Sequence, residues 1–348
     1  MDFMKELKAR LEGVRGAMEM NDAESLLIST GENLFYLTGK DTGRALITPK
    51  EAILWVKEPY NQLYEDIYSN PGYGFDVRLY EKGIIENEIK RRGLRKLYIN
   101  NISFGAYQKF AGDLKADIEV SDIVEKRRAI KSRYEIAALR RSAGIAVRGM
   151  GKANDIIAKG VTEIDAVAEI EREIRVLGSE TPPFKEGMLL SSGINSADIH
   201  AHASGKNIEN GDMVVVDLGA RCLGYFSDMT RTIKVGGVGK EEERDLEFVE
   251  NLELETIDKL QPGINAGEIH SGVEGEMEKR GFRFYHSTGH GVGLNIHEIP
   301  NIGRDSDDIL KEGMVFTIEP GIYIPHKYGI RFEDMILLTR KGPEILTR

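Results

Sequence analysis

The 348-residue sequence predicts two domains of different class, an α/β domain over 1–127 and an α+β domain over 128–348. Three observations carry this. The chain is too long for one ordinary core, since a domain runs to roughly 100–200 residues. Its first third alternates short β-rich runs with helical pieces. From Ser132 onward, long helical stretches are separated by groups of strand runs, a pattern that favours helices packed on antiparallel sheets over an alternating βαβ unit.

Phe3, Leu7, Leu11, Val14 and Met18 recur at three- and four-residue spacings and predict an amphipathic first helix. SLLIST, RALIT, AILWV and KLYIN follow as strand runs. They are punctuated by Gly, Asn and Pro and by helical-looking pieces such as YNQLYEDIYSN, and the segment ends near SDIVEKRR. Ser132 with Glu135 three residues on is a capping box that opens a helix of several turns, so the domain boundary falls just before it, at 125–130. Thr162 with Asp165 opens a second helix over 162–177; a third covers 240–260 and a fourth 266–280. GMLLSSG, DMVVVDLGA, GYFSDMTRTIKVG, EGMVFTIEPGIYI and GIRFEDMILLT are the strands between and after them. Inspection finds no internal repeat, although two halves built of a helix pair plus strands would conceal one.

The net charge is −10, and no dense Lys/Arg face stands anywhere, which excludes the electrostatic footprint of a nucleic-acid binder. The most basic segment, EKRRAIKSR at 125–133, reads as the solvated start of a helix. One cysteine, Cys222, permits no internal disulfide, and its place in a hairpin loop makes it a poor candidate nucleophile. The opening MDFMKELKARLEG has no apolar leader core, and no window reaches the roughly 18 apolar residues of a membrane span. The expectation is a cytoplasmic protein with neither a nucleic-acid nor a membrane partner.

Four carboxylates share one odd context, an acid ending or interrupting an apolar strand: Asp217 in VVVDLG, Asp228 in YFSDMT, Glu319 in VFTIEPG and Glu333 in GIRFEDM. Asp217 and Asp228 are expected to face each other across one hairpin, and Glu319 and Glu333 across another. Buried without counterions, such acids cost several kcal/mol each or take up protons. Arg331, two residues from Glu333 and on its strand face, offsets one charge. Two divalent cations offset all four, with His290, freed of bulky neighbours by Gly289, Gly291 and Gly293, as a fifth ligand. Oxygen-rich ligation with one imidazole suits Mn²⁺, Co²⁺, Fe²⁺ or Zn²⁺. On spacing alone, a structural ion-pair network remains the alternative.

The motifs VVVDLGA, YFSDMTRT, HSTGHGVGLNIHE, TIEPGIYI and RFED, in that order and with SSGINSADIHAHAS upstream, resemble the pita-bread metallopeptidases, the family of methionine aminopeptidase, aminopeptidase P and prolidase together with metal-free creatinase. The resemblance covers 130–348. ENLFYLTG and IKSRYEIAALRRS resemble the amino-terminal domain of prolidases and aminopeptidases P, which methionine aminopeptidases generally lack. The resemblance implies a creatinase/prolidase-type α/β domain before a pita-bread catalytic domain. It implies two divalent ions, Mn or Co before Zn or Fe, on Asp217, Asp228, His290, Glu319 and Glu333, with Asp228 and Glu333 bridging. It further implies that Glu319 is the proton acceptor, that His200 and His297 meet the substrate carbonyl and the tetrahedral intermediate, and that the protein is a homodimer acting on short proline-containing peptides. Arg331 is expected to orient Glu333, and Thr230, His286 and Arg304 to act beside the ligands or on the substrate. His270 and His326 read as structural, and His202 as an exposed loop residue.

Two departures from the family pattern stand out. Asp198 and Ile199 precede His200 where Leu-Pro or a similar pair is usual, and Asn301 follows HEIP where some prolidases carry an arginine for the free carboxylate of a dipeptide. Arg304, or Arg44 in the TGKDTGR loop, is the expected substitute. The resemblance leans to an Xaa-Pro dipeptidase, with an Xaa-Pro aminopeptidase acting on longer peptides next. A non-catalytic peptide-binding protein and a metal-free, creatinase-like hydrolase are disfavoured by the intact ligand set.

Overall fold

The computed structural model describes residues 3–65, 73–100, 104–114, 116–182, 184 and 187–348. Two compact units divide the chain, Met1–Arg128 and Ala129–Arg348. Among the described residues no helix is long and apolar enough to cross a membrane.

The first unit opens with α1 (Phe3–Met20), which buries Leu7, Leu11, Val14 and Met18, the stripe that the spacing marks. Then come β1 (Leu26–Ile28), α2 (Gly31–Thr38), β2 (Arg44–Ile47), β3 (Ala52–Val56), β4 (Asp76–Leu79), α3 (Ile84–Arg92), β5 (Lys96–Ile99), α4 (Phe104–Asp113), β6 (Asp117–Val120) and α5 (Ile123–Ala129). The strands form one mixed sheet in the order β4-β3-β2-β1-β5-β6. Its central strands are the four apolar runs legible in sequence. β4 and β6 are the two edges, and DVRL and DIEV are too polar and too exposed to stand out as strands. YNQLYEDIYSN does not give the helix its pattern suggests. A 3₁₀ turn covers Tyr60–Tyr64, burying Tyr64, and residues 66–70 lie outside the described residues. The basic stretch at 125–133 is solvated in part, with Lys126, Arg127 and Arg133 exposed, but two of its cations are not. Arg128 is buried with Nη1 on Asn33 Oδ1 at 2.8 Å, and Lys131 is buried against the Glu298 carboxylate.

In the second unit α6 (Arg133–Ile156) carries the complete capping box, with Ser132 accepting from the Glu135 amide and Glu135 accepting from that of Ser132. α7 (Glu163–Val176) is capped by the Thr162 side chain accepting from the Asp165 amide. This helix pair packs on the sheet β11-β8-β7, made of β7 (Leu189–Ser192), β8 (Met213–Leu218) and β11 (Met229–Lys234). Ile145, Ala146, Ile170 and Ile174 meet Val214 and Val216 there. Gly149 permits the close approach of the two helices, because a Cβ on it would lie 2.6 Å from Ile174 Cγ1. A small excursion of β9 (Arg221–Cys222) and β10 (Tyr225–Phe226) connects β8 to β11.

The arrangement then recurs. α8 (Lys240–Asp258) and α9 (Ala266–Lys279) pack on the five-stranded sheet β13-β12-β14-β17-β18, made of β12 (Gly289–Gly291), β13 (Glu298–Ile302), β14 (Val315–Ile318), β17 (Asp334–Thr339) and β18 (Gly342–Ile345). Ile257, Ile269, Phe316, Ile318 and Ile336 form that core. This helix-pair-on-sheet layer, present twice, is the repetition that the sequence conceals. β15 (Gly321–Ile324) pairs with β16 (Tyr328–Arg331) beside it.

Register places the acids. β14 pairs with β17 so that Ile318 faces Asp334, and β15 with β16 so that Gly321 faces Arg331. One register thus runs through both pieces and sets Glu319 opposite Glu333 at their junction, as expected. The other hairpin differs from expectation: Asp217 faces Thr230, not Asp228. The β9–β10 excursion takes up the intervening chain, and Asp228 ends just before β11, two residues from Thr230 and on the same side.

Candidate metal centre

Asp217 comes from the end of β8, Asp228 from the residue before β11, His290 from β12, and Glu319 and Glu333 from the junction of the long hairpin. One ligand atom each of Asp228, His290 and Glu333 lies within 4.8 Å of the other two. His290 Nε2 is 3.7 Å from Asp228 Oδ2 and 3.4 Å from Glu319 Oε1. Asp217 completes the group from the side of Arg331, whose Nη2 donates to Asp217 Oδ2 at 2.6 Å. Backbone packing demands the glycines around His290. A Cβ on Gly289 would sit 1.9 Å from Thr317 O, and one on Gly291 would sit 2.2 Å from Ile299 O.

Burial dominates the electrostatics. It raises the carboxyls of Asp217, Asp228 and Glu333, the last two well above their ordinary range; repulsion from neighbouring acids raises Asp228 and Glu333 further, whereas Arg331 opposes the rise of Asp217. Glu319 is pushed up to about 8 by burial, with Arg331 opposing. Burial pulls His290 down to about 3 and His286 to about 4, so both imidazoles are neutral at pH 7. Asp217 Oδ1 and Asp228 Oδ1 are buried and accept no hydrogen bond among the described residues. Four acids around a neutral imidazole, two of them with an unsatisfied oxygen, fit hard or borderline divalent cations.

The surrounding shell follows the sequence in part. Thr230 Oγ1 donates to Glu333 Oε2 at 2.7 Å. His286 Nδ1 lies 3.9 Å from Glu319 Oε2, and its Nε2 meets the Tyr323 hydroxyl at 3.0 Å. His297 stands edge-on to the His290 ring with centroids 4.1 Å apart, and the fields of His200 and His297 both reach Asp217. Arg331 differs from expectation. It holds Asp217 directly and reaches Glu333 only through Thr230, on whose Oγ1 its Nε lies at 3.2 Å. The chain leaves regular strand between Arg331 and Asp334, so alternation along it does not carry Arg331 to Glu333. Arg304 is mostly exposed. Its guanidinium pairs with Glu274 of α9 and lines an open depression with Asn265, Glu268 and Asp305.

His270 is the structural residue expected, buried with Nδ1 on Thr288 Oγ1 at 3.1 Å. His202 and His326 are exposed. Cys222 is buried in the first helix-sheet core, which raises its thiol. Two features escaped the sequence. Tyr323 accepts from Arg331 Nη1 at 3.0 Å, and a position two residues from Gly321, which faces Arg331, is the period-2 signal for it. Arg231 joins the backbone carbonyls of Thr230 and Glu333 at 2.8 and 2.7 Å and anchors on Asp334. No local pattern marks that bridge, because its partner strands are about a hundred residues apart.

Known proteins resemble the chain along its whole length. Residues 137–340 match the model of metallopeptidase family M24, and residues 10–130 match the creatinase/prolidase N-terminal domain. The Xaa-Pro dipeptidase of Pyrococcus horikoshii is 34% identical over 100% of this chain and 98% of its own. The structure of an Xaa-Pro dipeptidase from Bacillus anthracis superposes with a TM-score of 0.90 at 30% identity, covering 98% of each chain. That of an X-Pro aminopeptidase from Thermotoga maritima superposes at 0.85 and 26% identity, covering 97% of each. The match to family M24 spans more than half of the chain, with a pita-bread catalytic unit around a cluster of metal-binding type, and the chain belongs to that family: it is a metallopeptidase.

Proposed function

We propose that this enzyme hydrolyses the Xaa-Pro bond of dipeptides, with two divalent cations, Mn or Co first among them, held by Asp217, Asp228, His290, Glu319 and Glu333. One observation carries the reading: the convergence of four mutually repelling carboxylates, Asp228 and Glu333 buried and Asp217 and Glu319 largely so, on one neutral imidazole, a set that divalent cations neutralise. The relatives' names give the substrate class, since full-length similarity at 34% and 33% identity is to Xaa-Pro dipeptidases.

Divalent cations held by these five side chains would supply a Lewis acid for the scissile carbonyl and a more acidic water, and would favour the ionised form of Glu319. The chain's residues do the rest. Glu319 Oε1 is engaged by the Thr317 hydroxyl at 3.3 Å, which leaves Oε2 to take a proton from water and pass it to the leaving proline nitrogen. His290 needs to lose no proton before it binds, since burial already keeps it neutral. His297, also kept neutral by burial, and His200 offer ring N–H groups to the carbonyl oxygen as charge develops on it. Arg331 fixes Asp217, and Thr230 fixes Glu333. The homodimer and the cytoplasmic setting expected for such an enzyme belong to the same proposal.

The test is hydrolysis of Met-Pro, Met-Ala and Met-Pro-Ala by metal-stripped protein with and without added Mn²⁺ or Co²⁺. Metal-dependent cleavage of Met-Pro in preference to the others is expected. Preference for the tripeptide would replace this reading with that of an Xaa-Pro aminopeptidase, the activity named for the Thermotoga relative.

A further inference from the structure

Outside the ligand cluster, one buried acid closes a loop. Glu163, at the first position of α7, is completely buried and accepts four close hydrogen bonds. Oε1 accepts from the Ser192 amide at 2.8 Å and the Ser192 hydroxyl at 2.7 Å, with Asn195 Nδ2 further off at 3.4 Å. Oε2 accepts from the Ser204 amide at 2.9 Å and the Ser204 hydroxyl at 2.6 Å. Ser192 ends β7, and Ser204 lies twelve positions later, beyond His200. One carboxylate therefore grips both ends of the loop 193–203, with one oxygen for each end.

The hydroxyls are themselves directed. Ser192 Oγ accepts from Lys206 Nζ at 2.9 Å, and Ser204 Oγ accepts from the Lys206 amide at 3.2 Å, so each hydroxyl has its proton left for Glu163. Between its ends the loop is tied to the metal-binding side. Gly329 N donates to Ser196 Oγ at 2.8 Å, and Arg331 Nη1, whose other nitrogen holds Asp217, reaches Ile199 O at 3.4 Å. No proline fixes the backbone at Asp198 and Ile199 before His200, so the loop takes its shape from these ties and from the clamp at its two ends.

We infer that Glu163 is a positioning residue for catalysis, setting His200 against the substrate by clamping both ends of its loop while leaving metal binding untouched. The inference rests on the proposed contact of His200 with the substrate. An amide cannot replace this carboxylate. Its single oxygen serves one end, and its NH₂ group meets a backbone N–H at the other, so one end is released.

The experiment uses the metal-loaded full chain. Glu163→Gln is compared with wild type, alone and on a His200→Ala background, for kcat/KM on Met-Pro, bound metal per chain and amide exchange across 193–203. The expected result is a fall of about tenfold or more in kcat/KM, unchanged metal content, faster exchange across 193–203, and little further loss on the His200→Ala background. Equal fold-losses in both backgrounds, lost metal, or unchanged exchange would overturn the inference. Should Glu163→Gln not fold, Ser204→Ala, which removes one of the four bonds, is read in the same way on a smaller scale. If wild type cleaves no Xaa-Pro dipeptide, the proposed function fails, and amide exchange together with metal content still decides on the clamp.

Discussion

Arg331 Nη2 donates to Asp217 Oδ2 at 2.6 Å, and the same guanidinium reaches the Thr230 hydroxyl that holds Glu333. One buried cation thus serves acids on two separate hairpins. It leaves Asp217 Oδ1 without a partner among the described residues, and its charge falls short of balancing four carboxylates.

Replacing Arg331 with lysine keeps the charge and loses the planar fork. A single ammonium cannot hold Asp217, Thr230, Tyr323 and Ile199 O together. Metal affinity or turnover is expected to fall about 10- to 100-fold, measured by metal titration of the stripped variant and by Met-Pro hydrolysis. Wild-type values in both would remove Arg331 from the account.

Glu319→Gln tests the proton acceptor. Its kcat is expected to fall about 100- to 10,000-fold, with the fold retained because Thr317 can still donate to the amide oxygen. Turnover within tenfold of wild type would reassign the base.

Gly289→Ala would place a methyl 1.9 Å from the Thr317 carbonyl oxygen, a backbone atom that cannot turn aside. β12 must shift from β14 and take His290 with it. A loss of about 1–3 kcal/mol in stability is expected, together with weaker metal binding. Chemical denaturation and metal titration check the two, and an unchanged midpoint would contradict the packing described.

Metal-free protein has a distinctive pH response. Glu319 is raised from 4.5 to about 8 when folded, and Asp217, Asp228 and Glu333 are raised as well. The folded chain therefore holds protons that the unfolded chain has released, and their contribution is lost as pH rises towards 8. His290 and His286 act oppositely: depressed from 6.5 to about 3 and 4, they cost stability as pH falls below 6.5. Between pH 6.5 and 8 the acids decide, and Tm of stripped protein is expected to fall. Glu253, raised to about 9 by burial beside Asp334, adds the same slope with or without metal, so the loaded protein falls less. Parallel curves for the two forms would be evidence against the acid cluster as described.

The sequence exposes features whose physics is local. Ser132 and Glu135 declare a helix start within four residues, and an aspartate ending VVVDLG is conspicuous because a buried strand has no use for an unpaired charge. Glu319 and Glu333 were legible as a pair because each ends or interrupts an apolar strand run of the same hairpin. Features set by distant chain were not. β4 and β6 are edges whose pairing is decided by neighbours, Arg331 chooses Asp217 from another hairpin, and Glu163 shows its purpose only once Ser192 and Ser204 are brought to it. The pairing of Arg304 with Glu274 on α9 was likewise illegible, since proximity in sequence to HEIP says nothing of it.

The most direct test of the metal centre counts ions and activity together. Stripped protein is titrated with Mn²⁺ or Co²⁺ while bound metal and Met-Pro hydrolysis are followed, in wild type and in Glu333→Gln. Two ions per chain, with activity rising as they bind and lost in the variant, is the expected outcome. Full activity with no bound metal, or an active Glu333→Gln, would contradict a metal centre built on these five side chains.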